Sequence, residues 1–237
     1  MSEAKRIGNL NCVILNQSAT PQCAVILCHG FGAPGTDLVA IGDELIRTQP
    51  ALANIAFIFP QAPIELDPHF DSRAWWMIDI EKIQTLMAQG EFRELRSEKP
   101  KDLEARRKDI FGVIEQVMKD FELPPEKIIV GGFSQGAMLT TEVALHFPEP
   151  LGGLIVWSGT ILNEEEWTAA AKNKSAFPVV LSHGRTDPIL PIGGAEVLKD
   201  MLIEASHDVT FVPFDGEHTI SIEGIREAAK MLMNTLN

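Results

Sequence analysis

An open, mostly parallel α/β sheet with helices on both faces is the architecture predicted for this chain of 237 residues. Short aliphatic runs bounded by Gly or Pro alternate with helical patterns, which is the signature of successive strand-helix-strand units. Most of the runs are continuously apolar rather than alternating, as suits strands covered on both sides. No long Gly/Ser linker and no internal repeat divides the chain, so residues 1–237 are read as one domain.

The predicted strands, in order, are Asn11–Leu15, Ala24–Cys28, Ile55–Phe59, Ile128–Val130, Gly153–Trp157, Val179–Ser182 and Val209–Val212. Between them the helical patterns cover Leu38–Gln49, Leu103–Phe121, Ala137–His146, Glu164–Lys174, Ala195–Ala205 and Ile222–Leu236. In the second of these, Ile110, Val113, Ile114, Val117 and Phe121 recur at helical spacing, and Pro124 and Pro125 stop the helix before the next strand. The segment 81–101 fits the alternation least. Ile80, Ile83, Leu86 and Met87 define one apolar side, Gly90 and Pro100 interrupt it, and the expectation is a lid-like excursion on the rim of the sheet.

Composition bounds the function. Lys and Arg total 20 against 33 Asp and Glu, a net charge of −13. Such a surface repels phosphate backbones and anionic headgroups, which argues against nucleic acid as a partner. Met1–Leu10 has no apolar core of signal-peptide length and no run of ~18 apolar residues marks a membrane span, so no stable membrane insertion and a cytoplasmic location are expected. The three cysteines, Cys12, Cys23 and Cys28, are irregularly spaced and are read as reduced structural thiols. No Cys/His spacing calls for a metal, and no cofactor is expected.

Chemistry enters at Ile128-Ile129-Val130-Gly131-Gly132-Phe133-Ser134-Gln135-Gly136-Ala137-Met138-Leu139, which reads as a strand, a G-x-S-x-G turn and a helix. A serine hydroxyl becomes a nucleophile only when it projects toward a base and a substrate. A tight strand-to-helix turn achieves that projection, with Gly132 and Gly136 flanking Ser134 where side chains would collide. The same turn opens a helix, so the N–H of Gln135 faces developing negative charge.

The base must lie at the carboxyl ends of the strands, where loops converge in this architecture. Of the six histidines, His146 sits ~18 Å along the helix from Ser134 and His207 precedes the last strand. His218 follows that strand and is the chosen base. His29 and His183 also end strands, but the chain order nucleophile, acid, histidine leaves them structural or supporting. Asp187, in the loop after Val179–Ser182, supplies the carboxylate that orients the imidazole. The Gly-rich loop His29-Gly30-Phe31-Gly32 follows the second predicted strand and offers the Phe31 N–H as a further oxyanion donor.

Taken together, His29-Gly30-Phe31-Gly32, Arg73-Ala74-Trp75, Gly132-Phe133-Ser134-Gln135-Gly136, His183-Gly184 with Asp187-Pro188, and Gly216-Glu217-His218 resemble the blocks of the phospholipase/carboxylesterase family, which includes the acyl-protein thioesterases. The resemblance runs from about Cys23 to the C-terminus. It implies the α/β-hydrolase fold, no cofactor, and the roles assigned to Ser134, Asp187, His218, Phe31 and Gln135. One departure stands out: Trp75-Trp76-Met77-Ile78-Asp79 leads into the long charged excursion, where family members usually have one further aromatic and a short loop. Gly30, Trp75 and Trp76 are expected to contact the substrate.

The expected activity is a serine carboxylesterase for small esters with short or medium acyl chains, acting through an acyl-enzyme. Its alternative is a thioesterase or lysophospholipase acting on long acyl chains. A non-catalytic ligand-binding member of the fold is the third reading. A small-molecule ester is the expected partner, and homodimerisation is left open.

Overall fold

A computed structural model describes residues 2–15, 20–79, 81, 85 and 95–236. Its main sheet has eight strands in the order β1-β2-β4-β3-β7-β8-β9-β10. These are β1 (Ser2–Ile7), β2 (Leu10–Leu15), β3 (Cys23–Cys28), β4 (Ile55–Pro60), β7 (Ile128–Phe133), β8 (Gly153–Trp157), β9 (Pro178–Gly184) and β10 (Asp208–Phe214). A separate two-stranded ribbon pairs β5 (Ile64–Asp67) with β6 (Ser72–Ala74). From β4 through β3, β7, β8 and β9 to β10 every pairing is parallel, whereas β1 with β2 and β2 with β4 are antiparallel. The expected α/β-hydrolase sheet is therefore present, with an antiparallel end.

Three strands go beyond the sequence reading: β1, β5 and β6. The first is a charged edge strand, Ser-Glu-Ala-Lys-Arg-Ile, joined to β2 through Gly8, whose φ of 55° supplies the turn. An edge strand needs no apolar run, because only its backbone must pair. Its signal was the Gly8-Asn9 dipeptide between two short segments, a two-residue hairpin sequence.

The helices α1 (Val39–Thr48), α2 (Leu103–Phe121), α3 (Gln135–His146), α4 (Glu164–Lys172), α5 (Ile192–Glu204) and α6 (Ile222–Leu236) divide between the two faces. Because side chains along a strand alternate in direction, β3 sends Ala24 and Ile26 into a core shared with Ile110, Val113, Ile114, Val143, Trp167 and Leu198 of α2 to α5. Its Val25 and Leu27 enter a second core with Leu45 of α1 and Ala228 and Leu232 of α6. Two cores on one strand require apolar residues at every position, which is why the runs do not alternate. Each fully buried Leu, Ile or Val contributes roughly 1.5–3 kcal/mol to this packing.

The three cysteines are buried and free, and desolvation pushes the thiols of Cys12 and Cys23 up to about 12, as inert structural thiols require. Among the described residues no helix is long and apolar enough to cross a membrane. Of the excursion, Ile80, Ile83, Leu86 and Met87 lie outside the described residues. Its far end does not. Arg96 forms a two-pronged ion pair with Glu164 at 2.7 Å, and Lys99 reaches Glu166 at 2.6 Å, so this end is docked on the first turn of α4.

Candidate active site

Parallel strands of one sheet end on one side, and four of those ends converge here. Ser134 follows β7, Asp187 follows β9, His218 follows β10 and the loop from His29 follows β3. Ser134 itself has φ 54° and ψ −116°, a conformation an L-residue adopts only under constraint. The constraint is visible at its flanks. A Cβ on Gly132 or Gly136 would run into the Cys28 carbonyl oxygen, so β7 and α3 approach the end of β3 more closely than any side chain permits. The Ser134 N–H is tied to the Trp157 carbonyl at 2.9 Å, which fixes the turn to β8.

From that turn the hydroxyl donates to Nε2 of His218 at 2.9 Å, and Nδ1–H of His218 donates to Oδ2 of Asp187 at 2.6 Å. A carboxylate only accepts, so the proton must sit on Nδ1 and leave Nε2 as the acceptor. The other oxygen of Asp187 accepts the N–H groups of Ile189 at 2.9 Å and Leu190 at 2.8 Å. Burial alone raises the pKa of Asp187. The hydrogen bonds from His183, His218 and the Leu190 N–H outweigh it and hold the carboxyl well below the usual carboxylate range. The acid is thus a permanent anion behind the imidazole.

Other residues that the sequence reading passed over hold these loops. Thr186 Oγ1 donates to the Gly216 carbonyl at 2.9 Å, lacing the Asp187 loop to the His218 loop. Ser158, buried with φ 47°, donates to the Thr219 carbonyl at 2.7 Å. No local pattern announces either residue, because each acts on a segment far away in the chain. His183 is also buried here: its Nε2–H donates to the Leu190 carbonyl at 2.7 Å and lies 3.3 Å from Asp187 Oδ2.

His146 and His207 are engaged with partners outside the triad. His146 is turned back on α3, donating to the Glu142 carbonyl at 2.8 Å, and His207 packs on Phe177 before β10. His69 is exposed beyond β5.

Gly30 lies directly against the nucleophile, for a Cβ there would stand 3.5 Å from Cβ of Ser134 and 3.1 Å from the Phe133 ring. Phe31 comes next and Gly32 follows with φ 82°. Gln135 is the first residue of α3, so its N–H has no acceptor within the helix. Trp75 and Trp76 correct the expectation of an aromatic pocket wall. Their relative exposures are 0% and 4%, and both belong to the core on the α2–α5 face. A wholly buried indole presents no surface to a substrate; Trp75 instead donates from Nε1 to the His29 carbonyl at 2.9 Å.

Chemically, this arrangement deprotonates a strained serine toward an imidazole backed by a carboxylate, which is the machinery of acyl transfer. Fold and site define a serine hydrolase of the α/β class. Residues 9–236 match the model of the phospholipase/carboxylesterase family, and the chain belongs to that family. It is similar to acyl-protein thioesterase 1 of Kluyveromyces lactis, 31% identical over 246 residues that cover 96% of this chain and 98% of that one. Acyl-protein thioesterase 1 of Eremothecium gossypii is 35% identical over 188 residues, 74% of this chain and 70% of that one. Among solved structures, that of esterase PE8 superposes with a TM-score of 0.76 at 27% identity, covering 94% of this chain and 97% of that one.

Proposed function

We propose that this protein hydrolyses long-chain acyl thioesters and esters, in the manner of an acyl-protein thioesterase, through an acyl-serine intermediate. The observation that carries the chemistry is the unbroken hydrogen-bonded line from Ser134 through His218 to Asp187. The relationship to the Kluyveromyces lactis thioesterase over 96% of this chain supports the substrate class.

In the first half-reaction Ser134 Oγ attacks the acyl carbon while its proton passes to His218 Nε2. The carbonyl oxygen takes the electron pair and is held by the N–H groups of Phe31 and Gln135. Collapse of the tetrahedral species expels the thiolate or alkoxide, which takes the proton from His218. Water then repeats the sequence on the acyl-serine and restores the free enzyme. Asp187 stays ionised throughout and stabilises the imidazolium.

A second reading is an esterase for short and medium acyl esters, and likeness to esterase PE8 supports it. A non-catalytic binding role leaves the strained serine and its aligned imidazole without purpose. Rates on p-nitrophenyl esters of increasing acyl length, measured beside a palmitoyl thioester, separate the readings. The thioesterase reading expects thioester cleavage and activity sustained to long chains, with a loss on the order of 10⁴-fold in Ser134→Ala. Rapid turnover of short esters with no thioester cleavage favours the second reading. A folded Ser134→Ala retaining a tenth of the activity defeats both.

A further inference from the structure

We propose that the side chain of Gln135 is a positioning strut that sets the distance between the two oxyanion donors, and that the segment Ser72–Trp76 is the beam it braces against. The inference rests on the reading of the Phe31 and Gln135 N–H groups as those donors. It concerns the carboxamide of Gln135, which that reading leaves without a role.

The two donors reach the site on different strands. Gln135 follows β7 within two residues, so its N–H is fixed by the sheet and by the first turn of α3. Phe31 lies three residues past the end of β3, in a loop containing Gly30 and Gly32. Glycines give that loop the freedom to approach Ser134, and the same freedom leaves Phe31 poorly fixed by its own chain.

The segment Ser72–Trp76 takes up that freedom. Gly32 N–H donates to the Arg73 carbonyl at 2.8 Å, and Arg73 N–H donates to the Ala33 carbonyl at 3.2 Å. Ser72 Oγ donates to the Gly32 carbonyl at 2.8 Å, and Trp75 Nε1–H donates to the His29 carbonyl at 2.9 Å. These four bonds grip the loop on both sides of Phe31. The other side of the beam is held by Gln135: its Oε1 accepts the Trp75 N–H at 2.9 Å and its Nε2 donates to the Trp76 carbonyl at 2.8 Å. The orientation of the amide is fixed by its partners, since a backbone N–H only donates and a carbonyl only accepts.

Gln135 is wholly buried, so no water replaces either bond when the carboxamide is removed. One residue therefore contributes an N–H to the oxyanion and, through its side chain, locates the segment that grips the loop carrying the other donor. Donor placement matters because a displacement of about 1 Å from the productive geometry costs on the order of 100-fold in rate.

The test uses Gln135→Met, Gln135→Glu and Ser72→Ala in the full chain, with a trifluoromethyl ketone carrying the substrate's acyl group as the probe. Ser134 Oγ adds to the ketone carbon, its proton goes to His218 Nε2, and the former carbonyl oxygen becomes the oxyanion facing both N–H groups. Active sites are titrated with an organophosphonate so that kcat refers to folded enzyme. Gln135→Met is expected to lower kcat about 10- to 100-fold with KM within about threefold, and to raise the ketone Ki by the same factor as kcat/KM falls. Gln135→Glu, protonated by its burial, still accepts from Trp75 and donates to Trp76, and recovers most of that loss. Ser72→Ala, at the surface, costs about threefold in both quantities.

A folded Gln135→Met that binds the ketone as tightly as wild type overturns the strut, even if its kcat falls. Should Gln135→Met not fold, a Ser72→Ala with unchanged Ki overturns it. Failure of the underlying reading looks different: wild type forms no ketone adduct, or Ser134→Ala binds the ketone as tightly as wild type.

Discussion

His29 sits at the end of β3 with a relative exposure of 1%, and its ring is committed to the neutral form. Nε2 accepts the Ala62 N–H at 3.1 Å, so Nδ1 carries the proton and donates to the Gly30 carbonyl at 2.8 Å. A second proton would set an N–H against the Ala62 N–H inside the core. Desolvation accordingly lowers the pKa of His29 to about 4, against a partial upward pull from the Gly30 hydrogen bond. The unfolded chain binds a proton at this residue below about 6.5, and the folded chain does so only below about 4. Its contribution is therefore complete above about pH 6.5 and is lost as the pH falls toward 4. Each pH unit across which the unfolded chain holds one more proton than the folded chain costs about 1.4 kcal/mol, so between about pH 7.5 and pH 4.5 the loss amounts to about 2–3 kcal/mol. Urea unfolding at the two pH values reads this as a fall of about 1 M in midpoint beyond that of the control variant. The control is His29→Gln, whose Oε1 still accepts from Ala62 and which does not titrate. Equal midpoint shifts in wild type and His29→Gln would refute the reasoning.

Asp187→Asn keeps the fold of the loop but presents an amide donor to His218 Nδ1, which moves the imidazole proton to Nε2; kcat on the ester substrates is expected to fall about 10⁴-fold. Gly136→Ala drives a methyl into the Cys28 and His29 carbonyls, and should cost about 3 kcal/mol, read as a Tm lowered by about 10 °C. Arg107→Ala strands the buried Glu142 carboxylate, whose oxygens receive Arg107 Nη1 and Trp167 Nε1 at 2.6 Å each. The expected loss is about 3–5 kcal/mol in denaturant unfolding, and adding Glu142→Gln should restore part of it.

Most of the main sheet was legible because burial on both faces forces apolar residues at every position. Val25 and Leu27 serve one core while Ala24 and Ile26 serve the other, and the run Cys23–Cys28 needs no further signal. The first strand escaped this logic: a charged edge strand satisfies only its backbone, and its turn, Gly8-Asn9, was its sole mark. The β5–β6 ribbon is short, bulged and half-exposed, so neither periodicity nor composition distinguishes it from a loop. Helix ends moved by up to three residues, as at α5, which starts at Ile192 directly after the capping residue Pro191 rather than at Ala195.

At the site, the convergence of Ser134, Asp187 and His218 was legible for a topological reason. Parallel strands end on one side, so a residue's place just after a strand already states which side of the sheet it occupies. The supports were not legible, because each links distant segments: Ser158 with Thr219, Thr186 with Gly216, Gln135 with Trp75 and Trp76. The tryptophans show how the inference failed. Proximity in the chain to the site does not imply exposure to it, and both indoles lie in the core. Within the G-x-S-x-G turn the glycines are dictated by close backbone approach and the serine by chemistry, which leaves the residue after the serine free as far as the turn is concerned. Here the fold removes that freedom, since only a side chain with one donor and one acceptor at this reach satisfies both Trp75 and Trp76. The identity of Gln135 is therefore set by the pairing of α3 with the β6 segment, and that is information no local motif contains.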